Sequence, residues 1–246
     1  MASTSHEYIG PMGGAKGYST FDDSEWLAKH LGKTYRSMVI SSVSVWASEA
    51  IIFAIQALYR CEDIRTGKPC MVSAPKHGGL LMPELGWFSP SASGFYSLRG
   101  YGKSSHASFA LRNNNEYFCA LEGGVKHVRD GVNADGFLVL DSLRLAKTNG
   151  RTTEWMARPP GRLAASASGE KSEGGPASAA CTAPAGSGAD PSVVRLEAPA
   201  GKAIVALFGS CGAALDSVGI ICAPTDTFAD AAARAPGTAE NSQNRH

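Results

Sequence analysis

The sequence predicts an all-β protein. Three observations carry that reading. Short runs of alternating apolar and polar residues recur along the chain, Gly- and Asn-rich turns separate them, and no long amphipathic helix is visible. Many short strands joined by such turns point to a sandwich, a barrel or a prism.

The strands follow in order. Ser37–Trp46 places Met38, Ile40, Val43 and Val45 at near strand spacing. Ala50–Arg60 is long enough for a helix, but Ile51, Ile52, Phe53 and Ile55 favour a strand buried on both faces. Phe109–Leu111 and Glu116–Leu121 read as a hairpin turning at Asn113–Asn114–Asn115. Phe137–Lys147, Val193–Glu197, Ala203–Phe208 and Leu215–Cys222 complete the set.

A weak repeat runs through three of them. Ile40-Ser41-Ser42-Val43-Ser44-Val45, Leu140-Asp141-Ser142-Leu143-Arg144-Leu145 and Leu215-Asp216-Ser217-Val218-Gly219-Ile220 share one pattern. Each reads aliphatic, variable, Ser, aliphatic, variable, aliphatic. Three similar strands suggest three similar sheets about an approximate threefold axis.

Composition narrows the function. The 246 residues suffice for one large all-β domain or two small ones, and 43% apolar content supports a core. The net charge of +1, without basic clusters, argues against a nucleic-acid partner. The longest apolar run, Ile51–Tyr59, is a strand's length, so no membrane span is expected. Met1 to Gly10 is polar and has no apolar signal region, which makes a cytoplasmic location the default. The cysteines Cys61, Cys70, Cys119, Cys181, Cys211 and Cys222 form no close CxxC pair. Reduced structural thiols, with no bound metal, are expected.

Two stretches cannot bury enough apolar surface to offset their ordering entropy. Residues 157–191 are dominated by Ala, Gly, Ser and Pro, with Leu163 the one large aliphatic, and read as a disordered insertion. Residues 224–246 read as a flexible tail with one short helix around Thr225–Arg234.

Four stretches then carry a resemblance. The first is Gly10-Pro11-Met12-Gly13-Gly14-Ala15-Lys16-Gly17 with Phe21-Asp22-Asp23. The second runs from Ile40 to Ala54-Ile55-Gln56-Ala57-Leu58-Tyr59. The third is Glu116-Tyr117 to Gly123, then Leu140-Asp141-Ser142-Leu143 through Thr148-Asn149. The fourth is Gly201-Lys202 through Phe208-Gly209, then Gly212-Ala213-Ala214-Leu215-Asp216-Ser217-Val218-Gly219. In this order, across residues 8–223, they resemble the jacalin-related lectins. Met12 departs from the family's usual Trp. The 157–191 insertion and Leu80–Ser97, with Trp87, Phe88, Phe95 and Tyr96, are enlarged.

The resemblance implies a β-prism of three four-stranded Greek-key sheets with pseudo-threefold symmetry, binding sugar without a metal or other cofactor. It assigns carbohydrate contacts to Gly212, Ala213, Ala214, Leu215 and Asp216, and to Gly17 from the N-terminal glycines. The chemistry of the residue types agrees. An ionised Asp accepts hydrogen bonds from two neighbouring sugar hydroxyls, and amides of a tight loop donate to others. Gly212 is expected to supply a positive φ angle there. Gly123-Gly124-Val125 is expected to be a turn lining the same end. The uncleaved Lys16–Gly17 segment resembles the mannose-type members, and Ala213 and Ala214 provide no aromatic face for galactose. Mannose- or glucose-type glycans and glycoproteins are therefore the expected partners. Several sites in a homo-oligomer would raise avidity by roughly 10²–10⁴.

Two other readings compete. An enzyme would draw on His77, His106 or His127 with Cys119 or Asp130, but no nucleophile motif, phosphate loop or metal spacing accompanies them, so the chain is not expected to be an enzyme. A protein-interaction module on the same scaffold, with sugar binding lost, would use the aromatics of Leu80–Ser97.

Overall fold

The computed structural model describes residues 6–14, 19–32, 35–48, 51–79, 105–112, 116–128, 137–157, 193–212 and 214–225. Along the chain run β1 (Glu7–Gly13), β2 (Ser19–Asp22), α1 (Asp23–Leu31), β3 (Tyr35–Ala47), β4 (Ile52–Asp63), β5 (Pro69–Ser73) and β6 (His77–Gly78). They are followed by β7 (Ser105–Ala110), β8 (Phe118–Val128), β9 (Phe137–Lys147), β10 (Val193–Glu197), β11 (Lys202–Cys211) and β12 (Leu215–Pro224).

These strands form three antiparallel sheets. The first has the order β1-β12-β11-β2, the second β5-β4-β3-β7 with β6 also on β4, and the third β10-β8-β9. Alternation drives each one. In β3, Val43 and Val45 are buried while Ser42 and Ser44 are half-exposed. The inward residues of all three sheets meet in one cluster. It includes Val43, Ile55 and Tyr59 from the second sheet, Leu121, Leu143 and Leu145 from the third, and Leu207, Val218 and Ile220 from the first. Each fully buried aliphatic side chain contributes about 1.5–3 kcal/mol relative to exposure. Three sheets closed on one core form a β-prism, as expected. Among the described residues the third sheet has three strands rather than the expected four.

The sequence repeat has a structural counterpart. Ile40 pairs with Tyr59 and Ser42 with Leu58, so Ser41 is the extra residue of a β-bulge. Leu140 pairs with Val125 and Ser142 with Gly124, which leaves Asp141 extra. Leu215 pairs with Cys211 and Ser217 with Ser210, which leaves Asp216 extra. All three sheets thus bulge at the second position of the repeat. A bulge costs the partner strand a ladder bond, and the repeat's Ser offers a replacement acceptor. The Gly124 amide donates to Ser142 Oγ at 3.0 Å, and the Ser210 amide to Ser217 Oγ at 3.1 Å.

Two sequence expectations are corrected. Residues 109–111 and 116–121 do not form a hairpin, because β7 pairs with β3 in the second sheet and β8 joins β9 and β10 in the third. The chain passes between sheets there, and Asn113–Asn115 lies outside the described residues. Gly123-Gly124-Val125 is not a turn but the interior of β8, where Gly124 makes room for the Asp141 carboxylate. Helix α1 was not foreseen. Asp22 caps it, accepting from the amides of Ser24 and Glu25 at 2.8 and 3.0 Å, and Gly32 ends it at φ 63°. Its Leu27 is fully buried in the core.

The ambiguous run ending at Arg60 is strand from Ile52 onward, as part of β4, and Phe137–Lys147 and Val193–Glu197 are strands over the expected spans. Residues 158–191 and 226–246, most of the expected insertion and tail, lie outside the described residues, as does Leu80–Ser97.

Candidate functional site

The site is built where β12 begins. Residues before and after the bulge face inward: Leu215 is fully buried, as is Val218, and Ser217 is nearly so. The extra residue breaks the alternation, and the Asp216 side chain is left half-buried at the surface. Burial pushes its carboxyl pKa from the ordinary 3.8 up to about 6. Among the described residues, no hydrogen bond or opposite charge offsets that burial.

The N-terminal glycines lie against the same bulge. Gly13 pairs with Ser217, and the Gly14 amide donates to the Asp216 carbonyl at 2.8 Å. Ser210 Oγ donates to the Gly14 carbonyl at 3.2 Å, fixing Gly14 from its other side. Gly13 has φ 107°, and a Cβ there would overlap the Asp216 carbonyl. Only glycine allows this approach. The chain re-enters the described region at Ser19, which pairs with Cys211. The Gly14 end of the segment holding Gly17 is thus tied to Asp216 and the Ser19 end to β11, across from β12, while Gly17 and Lys16 themselves lie outside the described residues. A third segment adjoins: a Cβ on Gly78 would come within 3.4 Å of the Ala214 carbonyl.

The loop before Asp216 differs from expectation in one respect. Gly212 is not among the glycines with positive φ. Its amide donates to the Ala214 carbonyl at 2.9 Å, closing the loop onto itself. Gly212 is buried and Ala214 nearly so, and Ala213 lies outside the described residues.

The third sheet provides an internal comparison. Asp141, at the equivalent bulge, is buried and accepts from Ser142 Oγ at 3.1 Å. It folds over Gly124, where a Cβ would collide with its carboxylate. In the first sheet Ser210 stands where Gly124 does. Its hydroxyl bonds Ser217 Oγ at 2.7 Å, so Ser217, the counterpart of the Ser142 that bonds Asp141, is already engaged beside Asp216. Ser210 was not foreseen from the sequence. The signal available was Ser217 in the repeat, but its partner on β11 becomes evident only with the register.

The candidate catalytic groups are not gathered. His77 and His106 belong to the second sheet, His127 and Cys119 to the third, and Asp130 lies outside the described residues. His77 Nε2 is 2.7 Å from Asp23 Oδ1, and its ring stacks on Phe21 at 3.9 Å. The Tyr59 hydroxyl donates to Asp23 Oδ2 at 2.6 Å. Burial, then the Asp23 charge, holds the Tyr59 phenol far above its ordinary range. This buried cluster ties α1 and β6 to β4. His106 stacks on Trp46 at 4.6 Å, and Cys119 Sγ donates to the Ala146 carbonyl at 3.7 Å. Among the described residues, no three His, Cys, Asp or Glu side chains gather as a metal site requires, and no helix is long and apolar enough to cross a membrane.

No family model and no curated protein matches the chain. Solved structures do. Artocarpin in complex with mannotriose is 19% identical over 91% of this chain and 99% of its own, with a TM-score of 0.48. Frutapin, a lectin from Artocarpus incisa, is 20% identical over 91% of this chain and 99% of its own, at 0.49. A mannose-specific jacalin-related lectin from Morus nigra, in complex with mannose, is 19% identical over 91% of this chain and 97% of its own, at 0.49.

Proposed function

We propose that the protein is a jacalin-related lectin that binds carbohydrate without a metal, with Asp216 as its principal acceptor. One observation carries the reading: a half-buried carboxylate, unpaired among the described residues, stands on a bulge directly beside the N-terminal glycine segment. A sugar presents adjacent hydroxyls that each donate and accept. Two of them donate to the two oxygens of Asp216, and partial burial strengthens these charge-assisted bonds. Backbone amides near Gly17 and along Ala213, Ala214 and Leu215 supply the complementary donors, while Gly212, its amide engaged by the Ala214 carbonyl, shapes the loop. Side chains contribute little surface there, so a lone monosaccharide binds weakly. The uncleaved glycine segment and the small Ala214 favour mannose- or glucose-type sugars.

The test is calorimetric titration of the full chain with methyl-α-mannoside and methyl-α-galactoside, for the wild type and Asp216→Ala. The expected result is mannoside binding by the wild type that the variant loses. Equal affinity of the two proteins for the mannoside, or heat from neither sugar with the wild type, would overturn the proposal.

A further inference from the structure

Away from this site, two cysteines separated in sequence are brought face to face. Cys61 on β4 pairs directly with Cys70 on β5. Both side chains point toward the core: Cys61 belongs to the central cluster, and Cys70, half-buried, packs against it. Both thiols are free. Directly opposed residues of an antiparallel pair have Cα atoms about 4.5–5.5 Å apart. That falls inside the roughly 4.4–6.8 Å a disulfide spans. The backbone therefore already holds the pair at bridging distance.

We propose that Cys61 and Cys70 form a reversible thiol–disulfide site that locks edge strand β5 to the prism. The oxidant is a small disulfide of the glutathione type. Cys70, the more exposed of the two, attacks it as thiolate, forming a mixed disulfide and releasing one small thiol. The Cys61 sulfur then attacks the Cys70 sulfur, forming the S–S bond and expelling the second small thiol. Two protein thiols become one disulfide, one small disulfide becomes two thiols, and the two protons pass to the departing sulfurs. Burial, then the neighbouring Cys70, raises the Cys61 thiol to about 12, so Cys61 is a poor first nucleophile. The other described cysteines are differently placed: Cys119, Cys211 and Cys222 are buried and belong to other sheets.

Among the described residues β5 is the outer strand of its sheet, and its Met71 is exposed. An edge strand opens more readily than an interior one. Closing the ten-residue loop from Cys61 to Cys70 lowers the opened population by up to roughly a hundredfold.

The experiment uses the full-length chain with Cys181→Ser, to remove a thiol outside the described region. It is incubated folded in a glutathione–glutathione disulfide series, quenched by alkylation and digested with trypsin without reduction. Cleavage after Arg60, Arg65 and Lys76 leaves the two cysteines on separate peptides, Cys61–Arg65 and Thr66–Lys76. The expected product is these two peptides joined, with a mass two hydrogens below their sum, and slower amide exchange along β5. Glutathione adducts alone, unmodified thiols at the most oxidising ratio, or crosslinks mainly to Cys119, Cys211 or Cys222 would overturn the proposal.

Discussion

Asp216→Asn separates the cost of the site from its use. The substitution keeps the side chain's shape and removes its charge. Burial moves the folded carboxyl from 3.8 up to about 6, so the folded protein holds this proton more tightly than the unfolded chain does. As pH rises from the unfolded value, the unfolded state ionises first, and stability falls across this window. The penalty is absent below pH 3.8 and complete above about pH 6. At 1.36 kcal/mol per tenfold, the full shift would correspond to about 3 kcal/mol. Water reaches much of this half-buried group and screens it, which leaves about 1 kcal/mol.

Asparagine carries none of that penalty. The variant should therefore be about 1 kcal/mol more stable than wild type near neutral pH, with the gap closing as pH falls toward 3.8. Urea denaturation at both ends of the window reads this as a shift in midpoint at unchanged slope. The same variant should lose mannoside affinity by roughly ten- to a hundredfold, the worth of a hydrogen bond to a charged acceptor. A variant less stable than wild type at neutral pH would refute the reasoning, because it would mean the carboxylate holds the fold together.

Three further outcomes follow from the geometry. Ser210→Gly recreates the surroundings of Asp141, so Asp216 should fold inward over the strand; mannoside affinity should fall roughly tenfold by calorimetry, about 1.4 kcal/mol. Gly13→Ala forces a side chain at φ 107° into the Asp216 carbonyl, at a cost of about 1–3 kcal/mol, and should weaken binding as the glycine segment shifts; denaturation and titration together check it. Tyr59→Phe removes a partner of the buried Asp23 and should lower stability by about 1–3 kcal/mol, with little change in mannoside affinity at saturating folded protein.

What the sequence disclosed depended on how local the cause was. β9 was legible because Leu143 and Leu145 alternate against one face, and β10 because Val193 and Val194 carry strong strand propensity. The link between residues 109 and 116 misled because a short polar run looks alike whether it turns a hairpin or crosses between sheets. Helix α1 was overlooked although Asp22 and Glu25 have the spacing of a capping box. Its nine residues make too short an amphipathic pattern to stand out.

At the site, Asp216 was identifiable by family resemblance and by its repeat. The reason it faces outward was not. That depends on which residue of β11 opposes Ser217, a register effect that pairs Ser210 with it seven residues upstream. Cys61 and Cys70 were likewise invisible as a pair, since the turn between them sets their register.

The most direct test follows the Asp216 carboxyl itself. Its carbon resonance, assigned against Asp216→Asn, is titrated with pH in the free protein and under saturating methyl-α-mannoside. An apparent pKa about 6 is expected without sugar and a clear drop with it, because the hydroxyls bind the ionised form. A titration unmoved by bound mannoside would rule out Asp216 as the sugar's acceptor.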